Sequence, residues 1–203
     1  METNARTVTV ASEDGGEVEF YWLAGKAPCV VLCHGKAFDR DSFLPLAEEL
    51  QAREHAVAVL NFRGYGASRP GAQGLEARWW DVLAVASWLE RGGYGKTVGL
   101  GSSMGGGAVL RAVAERPEQF RGLIMWSTVP VDKTLASRWG ALPKLFVASE
   151  NEPMKEQILN MVQIAPEPKS VLWIPGVRHG QALLTGPDAN RVRAAVVNFL
   201  QGT

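Results

Sequence analysis

The feature that most constrains the fold is a regular alternation, along nearly the whole chain, of short apolar runs and longer segments with helical periodicity. Runs such as "CVVLC", "VAVL" and "GLIMW" are apolar throughout and do not alternate with polar residues. That pattern is typical of parallel strands whose two faces are both covered by helices. The sequence therefore predicts an α/β fold in which an open, mostly parallel sheet of about eight strands lies between two layers of helices.

The first two strand-like segments, "RTVTVAS" and "EVEFYWLA", are separated by the turn signal "EDGG". This spacing predicts an antiparallel hairpin ahead of the parallel strands. No linker, repeat or low-complexity segment interrupts the series that follows, and 203 residues suffice for one sizeable core. We therefore expect a single domain over residues 1–203.

Charge and hydropathy exclude several classes of partner. Lys plus Arg and Asp plus Glu number 21 each, so no net field attracts the chain to nucleic acid or to an anionic membrane. The apolar runs are too short to span a bilayer. The N-terminal "METNARTVTV" lacks the basic and apolar regions of a signal peptide. We expect a cytoplasmic protein that binds neither nucleic acid nor membranes.

The cysteine and histidine spacings indicate neither a disulfide nor a metal site. Cys29 and Cys33 both lie in one strand-like run, where four residues separate them by about 13 Å, too far for a disulfide. The three histidines are scattered, and no CxxC or HExxH motif occurs. We expect two buried thiols, no metal and no cofactor.

The segment "VGLGSSMGGGAVLRAV", residues 98–113, places glycines and two serines between a strand-like and a helix-like run. A phosphate-binding P-loop would need a lysine that is absent, and Met104 interrupts the GxGxxG pattern of dinucleotide sites. What remains is GxSxG, from Gly101 to Gly105, centred on Ser103. In that motif the serine occupies a strained strand-to-helix turn that exposes its hydroxyl. The segment predicts a nucleophilic Ser103.

A nucleophilic serine needs a base and a carboxylate that orients the base. His179, in "WIPGVRHG", is the only histidine after Ser103 and follows a strand-like run. The preceding run, "LFVASENEP", ends with Glu150 and Glu152, and Asp132 lies one strand earlier. The residues themselves leave these three carboxylates as candidates for the acid.

Four motifs together carry a resemblance to a known family. They are "CHG" (33–35), "NFRGYGAS" (61–68), "GSSMGG" (101–106) and "RHG" (178–180). With them the chain resembles a small α/β-hydrolase from about residue 15 onward. The resemblance implies a Ser–acid–His triad in that chain order, carried by Ser103, a carboxylate and His179. Glu152, directly before Pro153, occupies the place of the family's usual aspartate; Glu150 and Asp132 stay open.

The resemblance also implies the surroundings of the nucleophile. Two backbone N–H groups would form the oxyanion hole, one from Met104 and the other from Lys36, with Ala37 as its neighbour. It assigns His34 of the "CHG" motif a structural role. The turn "RGYGAS" would pack beside the site, braced by Arg63 and Ser68.

The expected function is hydrolysis of carboxylic esters with short to medium acyl chains through an acyl-enzyme. Only about ten residues separate "WSTVP" from "ALPKLF", which is too short for a cap domain over the site. Apolar candidates to line an acyl pocket are Phe38, Trp126 and Leu183, together with Met104 and Trp139. A thioesterase and a catalytically silent binding module of the same fold are the alternatives, and the expected partner is a small-molecule ester or thioester.

Overall fold

The computed structural model describes residues 4–128 and 133–203. Its eight strands form one sheet with the order β1-β2-β4-β3-β5-β6-β7-β8. Strands β3 to β8 are parallel to one another, whereas β2 pairs antiparallel with both β1 and β4. The strands are β1 (Arg6–Ala11), β2 (Glu17–Leu23), β3 (Lys26–Cys33), β4 (His55–Leu60), β5 (Thr97–Ser102), β6 (Phe120–Trp126), β7 (Lys144–Ser149) and β8 (Lys169–Ile174). The predicted mostly parallel sheet is confirmed.

Helices cover both faces of this sheet, as predicted. They are α1 (Leu44–Ala52), α2 (Trp79–Arg91), α3 (Met104–Glu115), α4 (Lys133–Ala136), α5 (Lys155–Ile164) and α6 (Ala189–Gln201). Buried residues of α2, α3 and α5 pack against one face of the sheet, and those of α1 and α6 pack against the other. The central strands are buried on both sides, which explains their continuous apolar runs.

The connection between β6 and β7 holds no cap domain in its described part. It contains α4 and a 3-10 turn over Ser137–Trp139, and then leads directly into β7. Helix α4 was not predicted, because four residues give too short a window for helical periodicity to be visible. Both cysteines are free and buried, as expected. Among the described residues, no helix has the length and apolarity needed to cross a membrane.

Candidate active site

Ser103 is the single residue between the end of β5 and the start of α3. Its backbone has φ 50° and ψ −113°, a region that residues with a side chain rarely adopt. The Ser103 N–H donates to the carbonyl of Trp126 at 2.8 Å, which ties the turn to the neighbouring strand β6. The chain thus accepts local strain at Ser103 and holds it with a hydrogen bond from an adjacent strand.

The glycines of the motif permit this turn because backbones pass too closely for a side chain. A Cβ on Gly105 would overlap the carbonyl groups of Cys33 and His34 at the end of β3. A Cβ on Gly101 would lie 2.5 Å from the Cα of Gly106 in the first turn of α3. Only glycine fits at such approaches. The helix start is therefore pressed directly against the carboxyl ends of the strands.

A chain of hydrogen bonds joins Ser103, His179 and Glu152. His179 Nε2 lies 2.8 Å from Ser103 Oγ, and His179 Nδ1 lies 2.7 Å from Glu152 Oε2. An ionised carboxylate only accepts, so Nδ1 donates to Glu152 and Nε2 is left to accept the serine proton. Glu152 is 3% exposed, whereas the His179 side chain is 38% exposed. This arrangement can withdraw a proton from the serine hydroxyl.

Of the three carboxylates considered, only Glu152 is seen at the histidine. Glu150 is exposed and lies instead with Asn151 and Lys155 at the wall of a separate cavity. Asp132 lies outside the described residues. The chain turns between Glu150 and Glu152, where the N–H groups of Glu150 and Asn151 donate to carbonyls at the end of β8 and just beyond it. That turn directs the side chain of Glu152 inward.

The expected oxyanion groups lie on two neighbouring segments. Met104 is the first residue of α3, so its N–H has no carbonyl within the helix to accept it, and the positive end of the helix lies there. Lys36 lies in a turn closed by the Phe38 N–H, which donates to the carbonyl of Gly35 at 3.1 Å. A Cβ placed on Gly35 would be 3.5 Å from the Cβ of Ser103. The structure thus brings this turn beside the serine.

Comparison with known proteins places this arrangement in a family. The family described as serine aminopeptidase, S33, matches residues 25–179, which include the GxSxG motif and extend to His179. The chain belongs to the S33 family. Its relatives include an uncharacterized protein of Mycobacterium tuberculosis, Rv2307c, which is 25% identical over 229 residues spanning 98% of this chain and 80% of that protein.

Solved structures show that this S33 member has the α/β-hydrolase fold. The α/β-hydrolase GrgF from Penicillium is similar with a TM-score of 0.86, at 14% identity over 98% of both chains. A thermophilic esterase from Thermogutta terrifontis has a TM-score of 0.76, at 21% identity over 98% of this chain and 99% of its own. At these identities the likeness establishes the fold alone.

His34 of this S33 protein uses both ring nitrogens within the protein. Its Nδ1 donates to the carbonyl of Gly35 at 2.9 Å, and its Nε2 accepts from the Phe62 N–H at 3.2 Å. The side chain is fully buried, and burial lowers the pKa of His34, which keeps the ring neutral. The expected structural role fits this geometry, in which His34 links the end of β3 to the segment after β4.

The turn "RGYGAS" is held by an ion network buried beside the site. The Arg63 side chain donates to Asp81 Oδ1 at 2.9 Å and to Asp14 Oδ2 at 2.7 Å. Hydrogen bonds from Arg63 lower the pKa of Asp14 to about 2. Ser68 donates to the carbonyl of Asn61 at 2.8 Å, which closes the turn. The bracing expected of Arg63 and Ser68 is present.

Two contacts in the S33 site were not expected from the sequence. The buried Gln181 accepts from the Gly35 N–H at 2.8 Å and donates to Ser42 Oγ at 2.7 Å. Tyr65 donates its hydroxyl proton to the carbonyl of Lys36 at 2.8 Å. Together they hold the Gly35–Phe38 turn from two sides. No motif marks Gln181, and only its position two residues after His179 could have drawn attention to it.

The expected acyl-pocket residues divide in the structure. Phe38 is 37% exposed and lines a cavity beside the turn. Trp126 is fully buried and packs against Phe43 in the core, and Leu183 is 1% exposed. The expectation that Trp126 and Leu183 line an open acyl pocket is therefore wrong: Trp126 does not reach the surface, and the only described cavity that Leu183 touches contains none of the triad residues. Of the other two candidates, Trp139 is also buried, whereas Met104 is partly exposed.

Proposed function

We propose that this S33 protein is a serine hydrolase that cleaves carboxylic esters of short to medium acyl chains. The observation that carries the proposal is the unbroken hydrogen-bond chain from Glu152 through His179 to Ser103, with both bonds at 2.7–2.8 Å. Those distances lie within the range that proton transfer from a nucleophile to a general base requires. No metal or cofactor takes part in the proposed reaction.

The reaction proceeds by acyl transfer. His179 Nε2 takes the proton of Ser103 as Oγ forms a bond to the ester carbonyl carbon. The tetrahedral intermediate then breaks its bond to the alkoxide leaving group, which receives that proton from His179. Water, deprotonated by the same nitrogen, attacks the acyl-enzyme, and the acid is released with Ser103 regenerated.

Glu152 and two backbone N–H groups stabilise the charges that develop. The carboxylate of Glu152 holds Nδ1–H and balances the imidazolium that forms when Nε2 is protonated. The N–H groups of Met104 and Lys36 are proposed to donate to the oxyanion, with the N-terminal end of α3 adding a favourable field. Removing one such donor in a serine hydrolase costs about 10²–10³ in kcat.

Substrate class is proposed from the openness of the site. The described β6–β7 connection carries no cap, so a small ester can reach Ser103 directly. The family's description as serine aminopeptidase makes aminoacyl amides the second candidate class. Thioesters are a third, because the same serine chemistry serves both leaving groups. The free and buried thiols of Cys29 and Cys33 support a reducing, cytoplasmic setting.

The test is labelling with a fluorophosphonate followed by mass spectrometry of the adduct, together with turnover of p-nitrophenyl acetate, an acyl-thiocholine and leucine p-nitroanilide. An adduct on Ser103, absent from Ser103→Ala and formed far more slowly by Glu152→Ala, is expected. Faster turnover of the oxygen ester than of the thioester or the amide would support the ester assignment. An unlabelled wild-type protein that turns over none of the three would favour a binding module and overturn the proposal.

A further inference from the structure

A cavity of about 300 Å³ lies between the Gly35–Phe38 turn and the segment that follows His179. Phe38 forms one wall, and Pro45 at the start of α1 forms another. Ala182, Leu184 and Thr185 contribute the wall that continues from the histidine segment. The volume is at the lower end of the range for ligand pockets, which run from about 300 to 1,000 Å³.

The cavity is one residue away from the nucleophile. Gln181 lines it, and a Cβ on Gly35 would lie 3.1 Å from Gln181 Oε1 and 3.5 Å from the Cβ of Ser103. Gly35 thus lies between the cavity wall and the serine. Phe38, two residues beyond Lys36, carries the wall out to the surface. A group bound covalently to Ser103 therefore has this cavity within reach of a short chain.

The polar side chains in the wall are already partnered inside the protein. Gln181 bonds to Gly35 at one end and to Ser42 at the other, and Ser42 Oγ donates to the carbonyl of Asp39 at 2.5 Å. Thr185 Oγ1 donates to the carbonyl of Ala182 at 3.0 Å. A wall whose hydrogen bonds are satisfied internally gains little from a polar ligand, and it penalises a ligand whose own polar groups would lose water there.

The one charged side chain in the wall is neutralised. Arg193 of α6 donates to Glu49 of α1 at 3.2 Å, and its side chain is 22% exposed. The pair leaves the cavity without net charge, so an anionic tail would find no free counter-charge. An uncharged chain meets no such penalty. Other cavities among the described residues differ, because one is bordered by Glu150 and Lys155 and another by Arg178 and Asp188.

Resting on the proposed function, we infer that this cavity binds the uncharged alkyl chain of the substrate's acyl group. Its volume corresponds to about ten water-sized groups, and an alkyl chain packs less completely than water. The preferred acyl chains therefore have about four to eight carbons. Each methylene buried in the cavity raises kcat/KM by about fourfold until the cavity is filled.

The experiment measures kcat/KM for p-nitrophenyl esters from acetate to dodecanoate. Two variants, Thr185→Trp and Ala182→Leu, add side-chain volume to the cavity; Thr185 is exposed, so its replacement leaves the core intact. The control is Thr7→Trp, which adds the same side chain on the exposed edge strand β1. A second substrate pair, hexanoate against the monoester of adipate, tests the exclusion of charge.

Wild type and Thr7→Trp are expected to prefer four to eight carbons and to discriminate against the adipate monoester. In Thr185→Trp the ratio of hexanoate to acetate kcat/KM is expected to fall by about tenfold or more, with a smaller fall in Ala182→Leu. A wild type that cleaves esters with a flat chain-length profile, or a profile unmoved in both variants, would overturn the cavity assignment and leave the proposed function standing. Absence of cleavage of every ester would overturn both.

Discussion

Glu152 Oε2 lies 2.7 Å from His179 Nδ1, although the two residues are 27 positions apart and Glu150 is nearer to the end of β7. The contact is possible because β7 and β8 are adjacent and parallel, so the loops after them meet at the same sheet edge. Glutamate has one methylene more than aspartate, and the turn after β7 accommodates it. The buried carboxylate leaves Glu152 Oε1 without a hydrogen-bond partner in the protein.

Replacing Glu152 by Gln is expected to lower kcat for p-nitrophenyl acetate by about 10³–10⁴. The amide can present a donor to Nδ1 and stabilise the wrong tautomer, as seen when a triad carboxylate is made an amide. Steady-state kinetics with burst titration of active sites gives the measurement. Glu150→Gln is the matched control, with an expected change of less than twofold, because Glu150 is exposed and distant from the histidine. Equal losses in the two variants would contradict the assignment.

Gln181 is expected to act as a positioning residue for the turn that carries Lys36. Gln181→Leu leaves the Gly35 N–H without its acceptor, which costs about 1–3 kcal/mol and lets the turn shift. We expect kcat to fall by about tenfold with little change in KM, because the loss is felt where the oxyanion forms. Gln181→Glu keeps an acceptor and is expected to recover most of kcat. A loss in both variants accompanied by a lower unfolding temperature would indicate a purely structural role.

Gly105→Ala is expected to destabilise the fold. The added Cβ would overlap the carbonyl oxygen of His34 and that of Cys33, and such overpacking costs about 1–3 kcal/mol. For a chain of this size the melting temperature should fall by about 3–10 °C, measured by circular dichroism. Gly202→Ala is the control, because the nearest atom to its Cβ would be 3.6 Å away. A melting temperature within a degree of wild type in Gly105→Ala would show that the helix start can move.

His34 should make stability depend on pH near neutrality. Because burial lowers the pKa of His34 in the folded state, the unfolded chain binds the proton more readily than the folded one. Stability is then fully present above pH of about 6.5 and declines as pH falls below it, by up to about 1.4 kcal/mol per pH unit. Urea unfolding at pH 7.5 and at pH 5.5 measures this slope. In His34→Gln the difference between the two pH values should be smaller; an equal difference would mean that another group carries it.

The main outlines of the site could be read from residue order. GxSxG between a strand-like and a helix-like run predicted Ser103, because glycine is needed wherever backbones approach as closely as at Gly101 and Gly105. His179 was identified because it is the only histidine after Ser103. These inferences depend on local spacing and composition, which the sequence displays directly.

The sequence by itself determined the layered fold, the strained serine and the paired histidine, because apolar periodicity and glycine placement act over a few neighbouring residues. The tertiary structure decided which carboxylate faces His179, that Gln181 joins Gly35 to the histidine segment, and that Trp126 belongs to the core. Those three outcomes depend on the direction in which a side chain leaves its loop and on what packs against it. Direction and packing are set by contacts between segments far apart in the chain, such as Gly35 with Gln181, 146 residues apart.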